Sequence, residues 1–201
     1  MDEKRVEEWA ASWIAERIDP RRWCYHNLEH VRMFVADVTE FARASGVSPH
    51  ELELLRVAGW LHDVGYAIDP ADHEEASARL ALEVVPAAGG TPAEADAVAA
   101  LIRATKLALR PRNRLEEIMR DADLGGLGTD GFPEQSQRFR RELEQGGRSF
   151  TDLEFWRTEA AFLNGVNYFS EAARRLRGPG LERNRARVAA EVRRLSESRG
   201  K

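Results

Sequence analysis

The strongest constraint on this chain is a set of ligand-type side chains that lie far apart in sequence and carry chemistry only if the fold brings them together. Trp60-Leu61-His62-Asp63-Val64-Gly65 sets an imidazole beside a carboxylate, with a glycine shortly after that lets the backbone turn. Upstream stands Tyr25-His26-Asn27-Leu28-Glu29-His30, and downstream Asp121-Ala122-Asp123-Leu124. A lone His-Asp pair says little. A His, a His-Asp and a later Asp on helical segments form a mixed nitrogen and oxygen donor set, suited to a borderline or moderately hard divalent ion.

Hydrophobic periodicity makes every carrier segment a helix. Val6, Trp9, Ala10, Trp13 and Ile14 recur at helical spacing over residues 3–18, predicting a helix that buries two tryptophans and stops at Asp19-Pro20. Leu28, Val31, Phe34, Val35, Val38 and Phe41 predict a second from His26 to about Ala44, which puts His26 and His30 one turn apart on one side. Ser48-Pro49 supplies an N-cap and first-turn proline for a third helix, which delivers His62 and Asp63 near its end. These two would project about 100° apart if helical, so convergence needs the helix end to tilt, as a turn at Gly65 permits.

Asp72 reads as an N-cap with Glu75 at the capping-box position, and Thr91-Pro92-Ala93-Glu94 opens a further helix to Lys106. A short helix, Leu115 to Met119, leads into Asp121 and Asp123. Gly125, Gly126, Gly128 and Gly131 predict a flexible loop, followed by helices over 134–145 and 152–169. Gly178-Pro179-Gly180 predicts a sharp break before a last helix carrying Leu181, Val188, Val192 and Leu195. No stretch alternates with period two. The expectation is an all-α chain, one domain over 1–201, with a motif core at 25–128 and a helical extension at 134–198.

With 43% hydrophobic and 32% charged residues in a chain of 201, a packed core is feasible and general disorder is excluded. No apolar run is long enough for a membrane span, and the N-terminus lacks the apolar centre of a signal peptide. The lone Cys24 fits a reducing compartment and reads as a small buried residue. A cytoplasmic, soluble protein is expected, with no membrane partner. Residues 171–201 hold ten Lys and Arg against four Asp and Glu, which reads as a solvated helix face, and nucleic acid is not an expected partner. No oligomeric state follows from the sequence.

His26 and His30 could both reach one ion, or one could bind metal while the other faces substrate. Asp121 competes with Asp123 as a ligand. His73 and Glu74 could supply a second metal or order a ligand histidine. Lys106 is a candidate point charge for a substrate phosphate, and Arg103 a weaker one. His50, at a helix start, reads as surface.

Taken together, Tyr25-His26-Asn27-Leu28-Glu29-His30, His62-Asp63 and Ala122-Asp123-Leu124 resemble the motifs of the HD-domain superfamily of metal-dependent phosphohydrolases. The first and last are also similar to those of cyclic-nucleotide phosphodiesterases. Ala58-Gly59-Trp60-Leu61-His62-Asp63, His73-Glu74-Glu75-Ala76-Ser77 and Ala104-Thr105-Lys106 look most like small bacterial HD-domain proteins. The resemblance implies a helical bundle with a metal site between central helices. It implies His30, His62, Asp63 and Asp123 as ligands, with Asp63 bridging if there are two ions, and His26 as general acid. Manganese, zinc, iron, magnesium and cobalt all suit such ligands, as one ion or two. The implied substrate is a nucleotide or other small phosphate ester, diester or monoester. No glutamine stands in the context of the purine clamp of the phosphodiesterases, so cyclic-nucleotide specificity is not implied. The alternative is an idle HD fold that binds a nucleotide or a partner as a sensor.

Overall fold

The computed structural model describes residues 1–198. Nine α-helices and no strands are found among the described residues: α1 (Glu3–Arg17), α2 (Leu28–Ala44), α3 (Pro49–Leu61), α4 (His73–Ala87), α5 (Pro92–Arg103), α6 (Arg114–Asp123), α7 (Phe132–Gln145), α8 (Asp152–Gly165) and α9 (Glu171–Ser198). Two short 3-10 turns, Val64–Ala67 and Gly125–Gly128, follow α3 and α6.

Local chemistry sets most of the boundaries. Ser48 with Glu51, Thr91 with Glu94 and Thr151 with Glu154 form complete capping boxes at the starts of α3, α5 and α8. Asn27 caps α2 through its side-chain oxygen. This places His26 ahead of the helix rather than on it, so the expected one-turn relation between His26 and His30 is not formed. At Asp72 the capping box is also absent, because Glu75 is turned away to pair with Arg103 on α5.

α2 is the central element. It packs on α3 and α6, with Phe34, Val38 and Phe41 of α2 and Leu55 of α3 all buried. α1 covers α3 with Val6, Ala10 and Ile14, while Trp9 and Trp13 are only half-buried. The indole of Trp13 donates to the Val64 carbonyl (3.0 Å) and so anchors the turn after Asp63. That turn has no positive φ at Gly65. Glycine is needed there for a different reason: a Cβ would lie 2.1 Å from the His73 carbonyl oxygen, so its absence lets α4 start against the turn. Cys24 is half-buried rather than buried.

The two glycine-rich segments differ from expectation. Gly125–Gly128 is a packed 3-10 turn with Gly125 and Gly128 buried. α9 runs straight through Pro179 as one helix of 28 residues. An internal proline costs a helix about 3 kcal/mol, and here tertiary anchors offset it. Asn184 donates to the Leu127 and Thr129 carbonyls (2.9 and 2.8 Å), Arg185 donates to Leu163 and Val166 at the end of α8, and Leu181 and Val188 are buried. Gly180 fits against the Gly128 carbonyl, which a Cβ would meet at 1.8 Å.

Candidate metal centre

Four side chains from three helix ends meet under Tyr25. His30 lies in the first turn of α2, His62 and Asp63 directly follow α3, and Asp123 is the last residue of α6. Asp63 Oδ2 is 3.2 Å from both His30 Nε2 and His62 Nε2, and the two imidazole nitrogens are 3.3 Å apart. Asp123 Oδ1 completes the cluster at 3.7 Å from His30 and 3.9 Å from His62. Donor atoms about 2.1 Å from a common ion stand roughly 3.0–3.4 Å from one another, so His30, His62 and Asp63 already have ligand spacing.

The tautomer of His62 is set from behind. Its Nδ1 donates to the Gly59 carbonyl (2.8 Å) and its ring stacks on Phe34, which leaves Nε2 as a lone pair aimed at the cluster. Asp63 is 4% exposed, yet Oδ2 has no hydrogen-bond partner despite its proximity to both rings. An unsatisfied buried carboxylate oxygen facing two imidazole nitrogens is what a cation site requires.

The electrostatics agree. Burial pulls His30 down, but the carboxylates of Asp123 and Asp63 beside it outweigh that effect and push the imidazole up to about 10. Burial works to raise Asp63, and the neighbouring imidazoles of His62 and His30 hold it well below the usual carboxylate range. Two carboxylates thus face the imidazoles at one point, where a divalent ion would supply the positive charge.

Around the cluster, His73 Nε2 lies 3.5 Å from Asp63 Oδ1, with Glu74 behind it at 3.5 Å from Nδ1. Tyr66 is sandwiched between His26 (4.3 Å) and His73 (4.0 Å), which fixes both imidazoles. Lys106 is salt-bridged to Asp72, beside the start of α4, and Arg103 is engaged by Glu75. Arg120 on α6 holds the Lys106 segment by donating to the Ala104 and Leu109 carbonyls. Asp121 serves another purpose. Its two oxygens accept from the Phe169 and Ser170 amides and the Ser170 hydroxyl (2.7–2.9 Å), so it fixes Ser170, whose hydroxyl oxygen accepts from the Ala173 amide at the start of α9, rather than joining the cluster.

His26 is held by a residue that motif reading missed. Glu142 on α7 is 4% exposed; it accepts from the Tyr25 and His26 amides (2.8 and 3.0 Å) and pairs with His26 Nδ1. Burial would raise its carboxyl, but the His26 ring and these two amides keep it below its ordinary range. The one sequence signal is positional, since Glu142 falls on the face of α7 that carries Phe132, Ser136, Phe139 and Leu143.

Residues 27–124 match the family model of the HD domain. The chain carries an HD domain. Its fold is shared with the crystal structure of a predicted HD superfamily hydrolase from an uncultured Thermotogales bacterium. The two are 18% identical with a TM-score of 0.61, over 97% of this chain and 91% of that one. No curated protein matches. The HD-domain match ends at Leu124, so Glu142 and everything from the second 3-10 turn onward lie outside it. Among the described residues, no helix is long and apolar enough to cross a membrane.

Proposed function

We propose that this protein is a metal-dependent phosphohydrolase of nucleotides or other small phosphate esters, with His30, His62, Asp63 and Asp123 as metal ligands. The observation that carries this reading is the convergence of those four side chains around the orphaned Asp63 Oδ2. Held by these residues, a divalent ion would supply positive charge for the phosphoryl oxygens and acidify water to a usable nucleophile. His73, 3.5 Å from the other oxygen of Asp63 and backed by Glu74, would help to hold a second ion, which would supply further positive charge for the phosphoryl group.

The chain's own proton chemistry centres on His26. With Nδ1 committed to Glu142, Nε2 is the atom left to hold a proton for the departing oxygen. Tyr66 fixes the plane of the ring, and His26 lines the cavity beside Asp123. Lys106, tethered by Asp72 at the edge of the site, is the candidate contact for substrate phosphate.

The test is hydrolysis of bis-p-nitrophenyl phosphate and p-nitrophenyl phosphate with manganese and then with chelator. Turnover is expected only with metal, and folded Asp63→Ala is expected to fall by about 100-fold or more. Equal turnover by wild type and variant would sink the assignment.

A further inference from the structure

A cavity of about 300 Å³ opens directly off the cluster, with His26 and Asp123 both in its wall. Most of its wall comes from the chain beyond the HD-domain match, chiefly α7 and α8. Phe132 and Phe139 of α7 and Phe155 and Phe162 of α8 make it largely apolar and aromatic. Such a volume lies at the small end of ligand pockets, with room for one ring system and its sugar.

Away from the cluster, a second carboxylate besides Asp123 interrupts this apolar lining. Glu159 on α8 is 7% exposed, so it is more than nine-tenths buried, and it lines the cavity. Its Oε2 accepts from the Ser136 hydroxyl (2.8 Å), while Oε1 has no partner among the described residues. Burial pushes its carboxyl up, the cost of a polar group placed in an apolar wall without full compensation. Ser136 uses its one proton on Glu159, so the free capacity of the pair is to accept hydrogen bonds. The matching guest therefore donates them. Arg148, held over Phe150, already places a guanidinium in the wall, which disfavours a cationic guest.

The geometry points to a substrate whose phosphate sits at the cluster while a nucleobase enters this cavity and offers an amino N–H to Glu159. This deepens, and rests on, the phosphohydrolase reading. The Phe rings supply the stacking and edge contacts that a planar base needs without choosing among bases. Glu159 supplies the choice, because a base without the amine leaves its free oxygen unpaired in a buried wall, which separates an amino-bearing base from its analogue by about 10- to 100-fold.

The experiment is titration calorimetry of the manganese-loaded protein with two pairs: adenosine and purine riboside 5′-monophosphate, and guanosine and inosine 5′-monophosphate. Each pair differs only in the exocyclic amine. Ribose 5-phosphate serves as the baseless reference, and phosphate release is followed in parallel. At least one amino-bearing member should bind about 10- to 100-fold tighter than its analogue, and both should exceed ribose 5-phosphate. In folded Glu159→Gln that ratio should approach one. If Glu159→Gln does not fold, Ser136→Ala takes its place and should lower the same ratio.

The proposal is overturned if neither pair is distinguished, or if the distinction survives in the variant. The two readings separate cleanly. Discrimination without phosphate release from any ester overturns the hydrolase and keeps the base slot. Hydrolysis of p-nitrophenyl phosphate without discrimination does the reverse.

Discussion

A single contact, Glu142 on His26, decides how the imidazole can act. The carboxylate holds the Nδ1 edge and takes two backbone amides as well, so the ring is fixed in rotation and in tautomer. Glu142→Gln keeps the shape and loses the charge. Its kcat is expected to fall about 10- to 100-fold for an alkyl phosphate ester, whose leaving oxygen needs a proton. For a p-nitrophenyl ester, which leaves as a stable phenolate, the fall should be small. Equal losses on both substrates would mean that Glu142 supports the fold rather than the acid. This pair also shows where sequence reading stops. His30, His62, Asp63 and Asp123 were legible because each stands in a recognisable phrase at a helix end. Glu142 sits among other charged residues of α7, and its partner is 116 positions away. Only tertiary approach selects it.

Among elements, the α4–α5 hairpin is tied by Glu75, which bonds Arg103 through both oxygens and also meets Arg79. The Arg103 hydrogen bond outweighs partial burial and lowers the carboxyl from 4.5 to about 2. A depressed folded pKa stabilises above the unfolded value and loses that effect as pH falls through the folded one. The difference in Tm between wild type and Glu75→Gln should therefore be constant at neutral pH, shrink from about pH 5 downward and be nearly gone by about pH 2. A pH-independent difference would exclude the ion pair as its source. Helix spans were legible through period and caps. Gly178-Pro179-Gly180 misled because breaker chemistry is local, whereas Asn184, Arg185 and Leu181 hold α9 in register from outside. The same holds at Asp72, where Glu75 could cap locally but pairs across helices.

For the whole molecule, metal occupancy and stability are expected to be linked, because the ligands come from α2, the end of α3 and α6. Free manganese at about 100 times its Kd adds about 2.7 kcal/mol, which for a chain of this length raises Tm by about 5–10 °C. Differential scanning fluorimetry should show that rise in wild type and lose it in Asp63→Ala; an equal rise in both would place the ion elsewhere. Asp121 secures the start of α9 only two residues before Asp123, and Glu142 reaches back to His26 from α7. The aromatic lining with Glu159 is carried by α7 and α8, on the stretch of chain between Asp123 and the anchored Ser170. The intervening chain can thus change its side chains without moving a single metal ligand. On the proposed function, the ligands and the lining that selects among substrates stand on separate stretches of one polypeptide, so a relative with the same four side chains and Glu142 but a different α7–α8 lining is expected to make the same cut on a different molecule.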